Sequence, residues 1–172
     1  MGPLTSPMHR DRVLAYVDIA RAEGDEILSG GNRVTTAGLE AGCYVEPTIV
    51  RAPIHSRVCQ EEVFGPFVTV TEFETDAEAI EIANSTEYGL GAGLWTRDLA
   101  RAHRMAAAFR AGMVWINCYK RANPGSPFGG VGVSGYGREM GFEAMHGYTE
   151  PKSVWVNVDA QLPVWYPRPS TT

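Results

Sequence analysis

Apolar positions along the chain switch between two periods. In "HRDRVLAYVDIARAEG", Val13, Leu14, Val17, Ile19 and Ala20 recur at largely helical spacing, and Gly24 stands where a helix would end. "DEILSGG" reads as a short strand and turn, and "GCYVEPTIV" as β-rich, with Pro47 arguing for an edge or an irregular segment. After a polar loop, "PFVTVTEF" alternates as a strand, and Thr75 or Asp76 is placed to cap a helix over "DAEAIEIAN". "YGLGAGLWT" follows as a glycine-rich strand, "RDLARAHRMAAAFRAG" as an amphipathic helix closed by Gly112, and "MVWINCY" as a strongly apolar strand. Strands alternating with helices of this length predict an α/β fold, a largely parallel sheet with helices flanking both faces.

Beyond Tyr119 the pattern breaks. "KRANPGSPFGGVGVSGYGRE" is too rich in Gly, Pro and Ser for regular structure, and loops of this length in compact domains are often functional. A helix is expected around "REMGFEAMHG". In "TEPKSVWVNV", Val154, Val156 and Val158 then alternate with Ser153, Trp155 and Asn157 as a terminal strand. "AQLPVWYPRPSTT" reads as an irregular tail.

Composition narrows the function classes. The 172 residues, 44% apolar and 20% charged, suit one globular domain. Fifteen basic against twenty acidic residues give a net charge of −5 with no basic stripe, so nucleic acid is not an expected partner. No run is long and apolar enough for a membrane span, and "MGPLTSPMHRDRV" lacks the apolar core of a signal peptide, so a cytoplasmic protein is expected. Cys43, Cys59 and Cys118 are odd in number and form no Cys-x-x-Cys pair, which argues against disulfides and metal. Cys118 is expected to pack as a small apolar residue. Cys59 is a poor nucleophile candidate, because Glu61 and Glu62 oppose a thiolate. Gly130-x-Gly132-x-x-Gly135 formally matches a dinucleotide fingerprint, but no strand precedes it and no helix opens within it. A tight backbone passage beside another element is the better reading.

Five stretches taken together are recognisable. "QEEVFGPF", "NSTEYGLGAGLWTRD", "GMVWINCY", "PFGGVGVSGYGRE" and "YTEPKSVWV", in this order and spacing, resemble the C-terminal part of the catalytic domain of NAD(P)-dependent aldehyde dehydrogenases, with a flavour of the betaine-aldehyde group. The resemblance implies a catalytic-domain segment over residues 1–150, an oligomerisation strand over 151–159 and a tail over 160–172. It implies that Glu62 holds the nicotinamide ribose of NAD or NADP, since one carboxylate can accept from both ribose hydroxyls. Phe64 would pack beside the nicotinamide ring, and Glu61 would be structural. Phe128 would stand at the mouth of the aldehyde tunnel, behind an entrance loop over Lys120 to Pro127. Glu139 would join a water-linked proton path, although its surroundings equally allow an ion pair with Arg138 or a helix cap. Glu150 and Lys152 would touch a second subunit, making a homo-oligomer, dimer or tetramer, through the terminal strand. Many relatives carry Lys where this chain has Gly132.

In that family a cysteine thiolate attacks the aldehyde, hydride passes to the nicotinamide, and a glutamate activates the water that releases the acid. Both of those residues precede the segment that "GPL" resembles, so the chain alone is not expected to turn over. A stand-alone, non-catalytic module that pairs with full-length subunits is the alternative.

Overall fold

A computed structural model describes residues 1–158; residues 159–172, where the end of the expected strand and the tail fall, lie outside the described residues. The first helix, α1 (Pro7–Glu23), starts where Ser6 accepts the N–H of His9 at 3.2 Å, with Pro7 at its first position. It ends, as its sequence predicts, at Gly24, whose φ of 84° lets its N–H reach the carbonyls of Ala20 and Arg21. Val13, Val17 and Ala20, spaced four and three apart, form one stripe and are fully buried. Removing each valine from water contributes about 1.5 kcal/mol.

That stripe packs on a three-stranded sheet of β1 (Glu26–Ser29), β2 (Thr48–Arg51) and β3 (Phe67–Val70), in the order β1-β2-β3. β2 and β3 are parallel, but β1 and β2 are antiparallel. The reversal follows from Gly30 and Gly31, both left-handed at φ 71° and 86°, after which the chain loops out and back, with Arg33 bridging Val45. The Gly31 N–H donates to Thr48 Oγ1 at 2.9 Å and fixes the return, while Pro47 stays outside the strand. A second sheet pairs β4 (Gly91–Leu94) in parallel with β5 (Met113–Ile116).

The α/β fold with largely parallel pairing is therefore present, two of the three strand pairings being parallel, but the strands divide into two small sheets rather than one. Val50, Ala52 and Val58 are buried beneath α1, while on the far face Ile49 is 36%, Val68 53% and Val70 40% exposed.

A short helix, α2 (Arg57–Gln60), occupies what reads as polar loop in the sequence. Tertiary contacts hold it. The Arg57 N–H donates to Glu23 Oε2 at 3.0 Å, and the buried Ser56 Oγ lies 3.0 Å from Glu23 and 2.6 Å from Asp25 carboxylate oxygens. α3 (Asp76–Asn84) is capped by Thr75, which accepts the N–H of Glu78. α4 (Leu99–Ala108) is capped by Asp98 and packs Ala102 and Met105 with Leu94, Val114 and Ile116.

α4 stops at Ala108 rather than running to Gly112. The amide of Asn84 donates to the Ala108 carbonyl at 2.9 Å and accepts the N–H of Arg110 at 2.7 Å, which fixes the chain as it leaves the helix. Gly112 lies instead at a backbone crossing: a Cβ there would stand 2.8 Å from the carbonyl carbon of Gly129 and nearer still to its oxygen. The helix expected around 138–147 is a 3₁₀ turn, Phe142–Gly147, because Met140 and Gly141 are successively left-handed at φ 58° and 61°. Among the described residues, residues 151–158 pair in no ladder, which leaves their backbone groups for a neighbour to satisfy. Their apolar side chains stand out, with Val154 73% and Trp155 92% exposed. Among the described residues, no helix is long and apolar enough to cross a membrane.

Candidate active-site clefts

The two adjacent acids after α2 have different surroundings. Glu61 Oε1 accepts from Arg57 Nε at 3.0 Å and Oε2 from the Tyr16 hydroxyl at 2.9 Å. Those bonds, Arg57 first and Tyr16 second, hold its carboxyl below the usual glutamate range, and the same pairing raises the Arg57 guanidinium. Glu62 has no partner for its carboxylate among the described residues, while its backbone carbonyl accepts from Arg12 at 3.1 Å. Glu61 therefore anchors α2 to α1, and Glu62 is left as an acceptor with both oxygens open.

The turn after them is pressed onto α1. A Cβ on Gly65 would meet a Val13 methyl at 2.6 Å, so only glycine fits there. Phe64 just before it adopts φ 53°, uncommon for an aromatic residue. His9 Nε2 lies 2.6 Å from the Phe64 carbonyl, and the two rings are 6.2 Å apart. The Phe64 side chain is 69% exposed.

Glu61 and Glu62 form one wall of a cleft of 440 Å³ whose other walls include Asn84, Leu90, Arg110 and Ser134. Phe64 is not in that wall. The glycine loop closes the far side. The N–H groups of Val131 and Val133 donate to the carbonyls of Gly89 and Glu87, and Ser134 Oγ accepts the N–H of Gly89. At Gly132, φ 63°, an added Cβ would collide with the Glu87 carbonyl oxygen and stand 3.2 Å from Arg110 Nη1. The loop is the tight backbone passage its glycines suggest. A cation also reaches this place in the absence of Lys at position 132, from the end of α4. Arg110 also donates to the Thr86 carbonyl. Neither Arg110 nor Asn84 is legible as a site residue from sequence, because an arginine and an asparagine at helix ends usually read as solvated caps.

A second, larger cleft of 980 Å³ shares Leu90 and Gly91 with the first. Phe128 lines it together with Trp115, Tyr119 and Met140. Phe128 and Glu139 exchange both backbone bonds at 2.7 Å, an antiparallel bridge that sets their side chains on one side. Neither local alternative for Glu139 is present. Arg138 Nη1 donates to the carbonyls of Gly130 and Gly137 instead, and the turn that follows begins only at Phe142. The Glu139 carboxylate has no partner among the described residues. Glu150 and Lys152 are exposed, and their side chains make no hydrogen bond or ion pair among the described residues.

Cys59 lines the first cleft but packs partly buried beside the Ala20 and Val50 cluster; Cys118 is partly rather than fully buried, and all three cysteines are free. Among the described residues, no group of three or more side chains is arranged to hold a metal ion.

Comparison with known proteins gives this geometry its context. The aldehyde dehydrogenase family model matches residues 1–154. An aldehyde dehydrogenase of Deinococcus radiodurans is 46% identical over 157 residues, covering 91% of this chain and 30% of that protein. A betaine aldehyde dehydrogenase of Cereibacter sphaeroides is 47% identical over 159 residues, covering 92% of this chain and 32% of its own length. Among solved structures, PnpE in complex with nicotinamide adenine dinucleotide is 67% identical, with a TM-score of 0.89 over 94% of this chain and 33% of that one. The chain thus spans about a third of the length of the proteins it matches. Its sequence and its fold agree: the chain belongs to the aldehyde dehydrogenase family.

Proposed function

We propose that this chain is the part of an NAD(P)-dependent aldehyde dehydrogenase that holds the nicotinamide end of the cofactor, shapes the aldehyde entrance and joins subunits. The whole enzyme would be cytoplasmic and would oxidise an aldehyde to a carboxylic acid. The observation that carries this reading is the division of labour between the paired acids. Glu61 is bound to Arg57 and Tyr16, whereas Glu62 lines a cleft with both acceptor oxygens unpartnered among the described residues. That donor set fits a ribose diol, which offers two adjacent hydroxyl donors.

Phe64 would supply an apolar wall beside the nicotinamide, its backbone held by His9. When bound, the dinucleotide accepts the hydride. Phe128 would border the aldehyde channel, and the Glu139 carboxylate, bridged to it through the backbone, would take a proton from water on that side. The thiolate nucleophile and the glutamate base would come from the remainder of the enzyme, so residues 1–172 alone would not turn over. The exposed segment containing Glu150, Lys152 and Val154 would pair with a second subunit as a strand, giving a dimer or tetramer.

The test is aldehyde-dependent reduction of NAD and of NADP by the enzyme that contains this chain. Reduction that requires both aldehyde and dinucleotide is the expected result. Absence of reduction with any of a panel of aliphatic, aromatic and betaine-type aldehydes would overturn the reading.

A further inference from the structure

The larger cleft carries charge that its apolar walls do not need. Trp115, Tyr119, Phe128 and Met140 give it a surface suited to a hydrocarbon or aromatic body. Lys120 and Arg121 also line it, and neither has an ion-pair or hydrogen-bond partner for its side chain among the described residues. Among the described residues, no acidic side chain lines this cleft. In a chain where twenty acids outnumber fifteen bases, two adjacent uncompensated cations at an apolar cleft are a local reversal of the overall charge.

The loop that presents them is fixed at several points. The Trp115 indole N–H donates to the Arg121 carbonyl at 2.8 Å, the Gly125 N–H to Asn123 Oδ1 at 2.8 Å, and the Gly141 N–H to the Pro124 carbonyl at 2.9 Å. Lys120 itself is left-handed at φ 54°, a conformation a lysine holds only where its surroundings impose it.

Resting on the function proposed above, we propose that the aldehyde taken by this cleft carries a carboxylate at the end remote from its carbonyl. The apolar walls hold the body of the molecule by shape, and Lys120 and Arg121 hold the anionic end. A guanidinium presents paired N–H donors that match the two oxygens of a carboxylate, and an ammonium adds a point charge. A neutral aldehyde of the same size would fill the cleft but leave both cations without a partner.

The experiment compares para-formylbenzoate with its methyl ester, which share one skeleton and differ in charge, as substrates of the enzyme that contains this chain. The wild type is expected to favour the acid by about tenfold in kcat/KM, one good charge-assisted contact's worth. In the double variant Lys120→Met, Arg121→Met the ratio is expected to fall close to one. Raising the salt concentration should shrink the wild-type ratio and leave the variant's ratio flat. A wild-type ratio near one would overturn the inference while leaving the dehydrogenase reading standing. Equal slowing of both aldehydes in the variant would also overturn it, by showing that the two cations serve the fold or another subunit. Oxidation of neither compound, nor of any other aldehyde, would overturn the dehydrogenase reading and this inference with it.

Discussion

Replacing Gly112 by alanine adds one methyl group at the most crowded backbone crossing beside the second cleft. The new Cβ would stand 2.8 Å from the Gly129 carbonyl carbon, 3.2 Å from the Gly130 α-carbon, and closest of all to the Gly129 oxygen, well inside the 3.0 Å that real Cβ atoms keep. All three neighbours are backbone, so no side chain can swing aside. Either β5 or the glycine loop must retreat by about 1 Å, at a cost of about 1–3 kcal/mol for an overpacked site. In the enzyme, about three times the length of this chain, the corresponding fall in Tm is smaller than the roughly 2–4 °C per kcal/mol of a 150–250-residue unit. The loop carries Phe128 one residue before Gly129, so the cleft wall moves with it, and a displacement of about 1 Å at a reacting site can cost on the order of a hundredfold in rate. Calorimetric unfolding and aldehyde kcat/KM, measured on the enzyme that contains this chain, read the two effects separately. Gly147→Ala is the control, because nothing lies within 4 Å of its Cβ and its φ is not left-handed. A Gly112→Ala protein with wild-type Tm and wild-type kcat/KM would refute the crossing as the reason for this glycine.

Asn84→Ala removes both bonds that fix the end of α4, and since water can replace part of each, a loss of about 1 kcal/mol is expected in the denaturation midpoint; no change would show that the helix ends without them. Glu61 has a folded-state pKa lowered chiefly by Arg57 and then Tyr16, so it contributes stability above its unfolded pKa that is lost as pH falls through the folded value. Acid unfolding of Glu61→Gln should therefore be flatter than that of the wild type in the window just below the ordinary glutamate range, and identical slopes would remove this linkage. The isolated chain should associate through its exposed apolar segment, with light scattering reporting a smaller particle after Val154→Lys and Val156→Lys; a wild-type monomer with a sharp two-state melt would contradict this.

Much of the local structure was legible because its causes are local. Gly24 ends α1 and Thr75 caps α3 through bonds that span only three or four residues. The glycine loop was readable as a close passage because its fingerprint lacked the flanking strand and helix. What misled was equally local in appearance. Gly112 follows a helical pattern, as a capping glycine would, yet its reason is a contact with Gly129, distant in sequence. Alternation identifies strands but not their partners, so neither the antiparallel β1 nor the division into two sheets could be read from it. The four residues of α2 carry no periodicity, and Glu23 and Asp25, more than thirty positions earlier, hold them in place. For the paired acids, the resemblance implied a structural Glu61, and the coordinates supply its bonds from Arg57 and Tyr16, whereas the ribose role of Glu62 is the proposal made above.

The central claim rests on Glu62, and the measurement that tests it most directly is the KM for NAD of Glu62→Ala and Glu62→Gln in the enzyme that contains this chain. Loss of two charge-assisted hydrogen bonds predicts a rise of about tenfold to a hundredfold for the alanine variant and a smaller rise for glutamine, which keeps one acceptor, with Tm unchanged in both. An unaltered KM for NAD in the alanine variant would contradict the account.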